Sequence, residues 1–250
     1  MATQFDPSKF TAMTAKPLPV ILLLDTSLSM KGEKIDSLNE AVRRMLATFM
    51  KEESQASEYL VSIITFGGGA MLNYPPTSAS KLRYNNLSAQ GNTPLGAAID
   101  IAKLLIEDKA STPSRAYRPL VVLVSDGCPN DAWKNKLEDF INNDRSSKCD
   151  RMALGVGQDA ISGSGRETLD RFVAGTDHEV FEAKDSGEIS HFFKLVTMSV
   201  VTRSLSNNPN QVPIDKSLTP PEPQIDSPVD PAKIPTKDFS KPSEDEIAYW

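Results

Sequence analysis

The stretch PVILLLDTSLS, residues 19–29, decides the fold. Its first six residues form a continuous apolar run, as a strand buried on both faces requires, and the run stops abruptly at Asp25. The spacing predicts a strand over 19–27. From Asp25 on, Asp25, Ser27 and Ser29 alternate, so their oxygens turn toward one point as strand gives way to loop.

Working outward, Ile35, Leu38, Val42, Met45, Leu46 and Phe49 recur at three- and four-residue steps and predict a helix over 33–53. YLVSIITF (59–66) reads as a second buried strand, and the Gly67-Gly68-Gly69 turn leads into an antiparallel edge strand over 70–74. A helix follows over 93–107 with Pro94 in its first turn, where a missing N–H costs nothing. PLVVLVS (119–125) and RMALGV (151–156) are further buried strands, separated by a helix over 131–143. A helix over 166–173, a strand over 179–183 and a final amphipathic helix over 187–204 complete the series. Strands alternating with helices predict an α/β fold: a doubly wound, mainly parallel central sheet with helices on both faces and one antiparallel edge strand.

Residues 1–16 read as an N-terminal extension and 17–204 as the folded domain. Residues 205–250 read as a disordered tail, because nine of the 18 prolines fall there without apolar periodicity. Its last stretch, SEDEIAYW (243–250), combines acidic and aromatic residues in the manner of a docking motif.

Composition excludes several functions. The net charge of −6 argues against a nucleic-acid surface. No apolar run reaches the roughly 20 residues of a membrane span, and the N-terminus lacks a signal-peptide pattern, so a cytoplasmic location is expected. Cys128 and Cys149 are too few for a disulfide framework and read as small loop or core residues. A redox role for Cys128 lacks a basic neighbour to lower its pKa. The two histidines, His178 and His191, show no partner in sequence and read as surface or packing residues.

Chemistry concentrates in three loops at carboxyl ends of strands: DTSLS (25–29), GNTPLG (91–96) and SDGCPND (125–131). Asp25, Ser27, Ser29, Thr93 and Asp126 offer carboxylate and hydroxyl oxygens, which suit Mg²⁺, Mn²⁺ or Ca²⁺ better than zinc or copper. Taken singly, Thr93 reads as a helix N-cap and Asp126-Gly127 as a tight turn. Two carboxylates and three hydroxyls leave a divalent ion near neutral, with room in an octahedral shell for one more oxygen.

DTSLS, GNTPLG and the strand-plus-SDG loop together resemble the von Willebrand factor A (VWA) domain with its metal-ion-dependent adhesion site (MIDAS), over about residues 17–204. The resemblance implies that Ser27 and Ser29 ligate directly, Thr93 directly or through water, and Asp25 and Asp126 mostly through water. It also implies that a Glu or Asp of a protein partner completes the Mg²⁺ shell. PVILLLDTSLSMKGEKIDSLNEAV and GNTPLGAAI look most similar to the short bacterial cytosolic type associated with tellurite resistance (TerY-like). That likeness implies a stress-response signalling complex, with a kinase, phosphatase or ATPase alongside. The expected function is therefore a non-enzymatic, metal-dependent protein-binding module. A structural scaffold subunit is the alternative. A Mg²⁺-dependent phosphatase is disfavoured, because its acid/base carboxylate would stand where this chain has Ser27.

Overall fold

The computed structural model describes residues 15–54 and 57–206. The apolar run forms the central strand β1 (Lys16–Asp25), buried throughout after Lys16 and starting three residues before the run itself. It pairs in parallel with β2 (Ser57–Phe66) on one side and β4 (Leu120–Ser125) on the other. β5 (Asp150–Val156) and the short β6 (Phe181–Ala183) extend the sheet in parallel beyond β4. Beyond β2 lies β3 (Ala70–Ser78), antiparallel and at the edge, giving the order β3-β2-β1-β4-β5-β6. β3 runs four residues further than predicted, through Pro75 and Pro76. An edge strand accepts prolines because one side needs no ladder hydrogen bonds, and register shifts near Ile63 absorb the mismatch.

Alternation along β1 builds two cores. Leu18, Val20, Leu22 and Leu24 pack with α1 (Glu33–Glu52) and α6 (Ser186–Leu205). Ile21 and Leu23 face α2 (Leu95–Glu107), α3 (Trp133–Asn142) and α5 (Ser164–Val173). A four-residue helix α4 (Gln158–Ile161), too short to show periodicity, precedes α5. The doubly wound arrangement with helices on both faces is the one predicted. α6 is less amphipathic than expected: Leu195, Thr197 and Ser199 are buried along with the face formed by Ile189, Phe192, Val196 and Val200.

Two helices start later than expected, while α5 and α6 start two residues and one residue earlier. α2 begins at Leu95, because Pro94 has a non-helical backbone (φ −80°, ψ 69°) and precedes the first turn. Thr93 is thus not an N-cap residue. α3 begins at Trp133, not Asp131, because the Asp131 carboxylate is used elsewhere. His178 does have a partner: its side chain is 8% exposed and its Nε2 lies 3.0 Å from Asp150 Oδ1. His191 is exposed on α6. Cys149 is buried, which pushes its thiol up to about 12, and Cys128 is exposed. Among the described residues no helix is long and apolar enough to cross a membrane. The predicted docking stretch 243–250, with the tail from 207 and the extension up to 14, lies outside the described residues.

Candidate metal centre

The strand order reverses between β1 and β4, whose carboxyl ends lie side by side. In a doubly wound sheet that switch point is where the loops diverge and leave a crevice. Asp25 closes β1, and Ser125 closes β4 with Asp126 next in the chain. The Ser125 hydroxyl donates to Asp25 Oδ2 at 2.6 Å, bridging the crevice. Asp25 Oδ1 accepts the Ser27 N–H at 2.8 Å, which folds the backbone after the strand. Ser27 Oγ lies 2.9 Å from Ser29 Oγ, and the Ser29 hydroxyl donates to Asp126 Oδ1 at 2.7 Å. A chain of side-chain contacts therefore runs from the first loop to the third, between residues 97 apart in sequence.

Thr93 is brought in through backbone. The Gly91 carbonyl accepts from Leu28 N at 3.0 Å, and the Thr26 carbonyl accepts from Gln90 N at 2.7 Å. On the other side the Thr93 carbonyl accepts from Asn130 N at 3.1 Å. The middle loop is thus stitched to both neighbours, with Thr93 buried between them. Gly91 permits this: its φ is 61°, and a Cβ there would stand 2.3 Å from Gly68 Cα.

Three residues with roles at the site were not singled out in sequence. Ser125 holds Asp25 and sits in the SDG motif, so its position was a signal. Asp131 accepts the Gly96 and Ala97 N–H groups, each at 3.0 Å, and so caps α2 from the third loop. Lys34 reaches Asp126 Oδ2 at 2.5 Å from α1, and nothing in its local sequence announces that contact.

Asp25 and Asp126 are 0% and 2% exposed, Ser27 is 2% exposed, and Ser29 stands open at the mouth. Burial pushes the Asp25 carboxyl above its ordinary value, against the opposing hydrogen bonds from Ser125 and Ser27, and the Asp126 charge adds to the rise. A desolvated carboxylate beside a second one is an environment that a cation relieves. The donors are hard oxygens, largely buried, with the exposed Ser29 hydroxyl at their outer edge, and this set fits a hard divalent ion. Among the described residues no cluster of three or more His, Cys, Asp or Glu side chains forms a metal site. Here only two of the five donors are carboxylates.

Residues 20–129 match the family model of the von Willebrand factor type A domain, a span that contains all five oxygen donors. The fold is that of a VWA domain. One similar solved structure is a von Willebrand factor type A protein from Catenulispora acidiphila, at 18% identity and TM-score 0.59, covering 75% of this chain and 43% of that one. Another is the pilus adhesin SpaC from Lactobacillus rhamnosus GG, at 13% identity and TM-score 0.60, covering 75% of this chain and 31% of that one. A third is proximal thread matrix protein 1 from the mussel byssus, solved with a zinc-occupied MIDAS motif, at 17% identity and TM-score 0.54, covering 74% and 48%. This chain spans less than half the length of each of these solved chains. No curated protein matches it in sequence.

Proposed function

We propose that this VWA domain binds a divalent cation through Ser27, Ser29 and Thr93, backed by Asp25 and Asp126, and uses it to capture an acidic side chain of a partner protein. The observation that carries this reading is the continuous contact from Asp25 to Asp126 across the switch point, which puts the exposed Ser29 hydroxyl at the mouth and the buried Ser27 and carboxylates behind it. A cation held there supplies a positive centre with an open coordination position, which a carboxylate fills. The side chains of this chain orient the donors, and Leu28, 59% exposed between Ser27 and Ser29, offers an apolar contact beside the mouth.

The module is non-catalytic in this reading. Ser27 stands where a phosphatase needs a carboxylate, and its hydroxyl is engaged with Ser29. Mg²⁺ is the proposed ion, from the hard donor set, with Mn²⁺ or Ca²⁺ as substitutes. The zinc in the mussel protein's MIDAS motif makes zinc a comparison worth including. A cytoplasmic stress-response or tellurite-resistance complex, with a kinase, phosphatase or ATPase as partner, is proposed on the sequence resemblance alone.

Calorimetric titration of the full chain with Mg²⁺, Mn²⁺ and zinc tests the metal, and Ser27→Ala/Ser29→Ala should abolish uptake. Partners encoded beside this gene should be retained in Mg²⁺ and released by EDTA. Retention that survives both EDTA and the double alanine change refutes metal-bridged capture and leaves the scaffold reading.

A further inference from the structure

Lys34 occupies the second position of α1, where a positive charge opposes the helix macrodipole. Its ammonium nitrogen lies 2.5 Å from Asp126 Oδ2, and the Asp126 side chain is 0% exposed. The other Asp126 oxygen takes the Ser29 hydroxyl, so both carboxylate oxygens are engaged. Gly157, just past β5, leaves the room: a Cβ there would stand 3.2 Å from Lys34 Nζ and 3.3 Å from Cε. Helix, glycine and carboxylate together bring one ammonium to the back of the oxygen cluster.

We infer that Lys34 is a resident counter-cation of this centre, which competes with the metal for Asp126 and holds the metal affinity of the free domain low. This rests on the metal-binding reading above. Asp25 and Asp126 with Lys34 carry a net charge of −1, so a divalent ion leaves the site at +1. An acidic side chain arriving from a partner neutralises that surplus. Metal and carboxylate therefore favour one another's binding, and by linkage each raises the affinity for the other. A unit charge about 6 Å from a divalent ion changes the ion's affinity about ten-fold at the water-like limit, and more beside carboxylates as buried as these.

The test is a Mn²⁺ titration of the full chain, following free Mn²⁺ by electron paramagnetic resonance. Wild type, Lys34→Met, Lys34→Gln and Ser27→Ala/Ser29→Ala are compared. Lys34→Met should tighten Mn²⁺ binding about ten-fold or more. Its melting temperature should also rise more on adding Mn²⁺ than that of wild type, because the apo form has lost the partner of a buried carboxylate. Lys34→Gln keeps a hydrogen-bond donor for Asp126 and should tighten binding as well, which guards against a folding defect in the methionine variant. Unchanged or weaker Mn²⁺ binding in both Lys34 variants, with the double alanine variant still deficient relative to wild type, overturns the role of Lys34 alone. Failure of wild type and both Lys34 variants to take up Mn²⁺ overturns the metal reading and this inference together.

Discussion

Asp131→Ala tests whether the third loop is clamped to the second by a side chain. In the native protein the Asp131 carboxylate accepts two backbone N–H groups at the start of α2, from Gly96 and Ala97, each at 3.0 Å. These are orphan donors of the first helical turn, and a carboxylate there also complements the helix macrodipole. Asp131 is half-buried, so water replaces it only in part. Loss of a capping side chain costs about 1 kcal/mol, and a charged acceptor with two partners raises this to about 2 kcal/mol. Over a domain of this size that corresponds to a fall in melting temperature of about 4–8 °C. Urea denaturation followed by far-ultraviolet circular dichroism should give a lower midpoint with an unchanged m-value. Asp131→Asn keeps one acceptor oxygen and should recover part of the loss. Because the same loop carries Asp126, Mn²⁺ affinity should fall as well. An Asp131→Ala midpoint equal to wild type would refute the clamp, and full metal affinity alongside a lowered midpoint would refute its link to the metal site.

Gly91→Ala should be severe, since it adds a Cβ 2.3 Å from Gly68 Cα at a φ of 61°. A loss of about 2 kcal/mol or more is expected from overpacking and left-handed strain, read from the urea midpoint. At the opposite end of the sheet, burial alone would raise the Asp150 carboxyl. The His178 hydrogen bond and the charges of His178 and Arg203 outweigh it and hold the group below its ordinary value. A depressed carboxylate contributes stability that is full above its unfolded value near about 4 and is lost as pH falls through the folded value. Asp150→Asn should therefore be less stable than wild type at pH 7, and the gap should close below about pH 4. A gap that stays constant down to pH 2 would assign Asp150 no acid-dependent role.

Much of the fold was legible in local pattern. The run from Val20 to Leu24 is buried on both faces, so its hydrophobicity is continuous and its strand character needs no partner to be recognised. The helical spacing from Ile35 to Phe49 likewise matches the buried face of α1. Boundaries were less legible where a side chain from elsewhere intervenes: α3 starts late because Asp131 caps α2, and no periodicity records that. The extra length of β3 through two prolines depended on its place at the edge.

For the site, the chain alone determined which oxygen donors exist and that each follows the carboxyl end of a buried strand or shortly precedes a helix. Chemistry and alternation are properties of adjacent residues, so Asp25, Ser27 and Ser29 were readable as a group. Tertiary structure decided what holds them. Ser125 bonding Asp25, Lys34 meeting Asp126 across 92 residues, and the stitching of Thr93 between two loops all arise from the crossover that sets β4 beside β1. Such contacts depend on chain reversal and the register of distant strands, and those are set by packing of the whole sheet, not by any local run of residues.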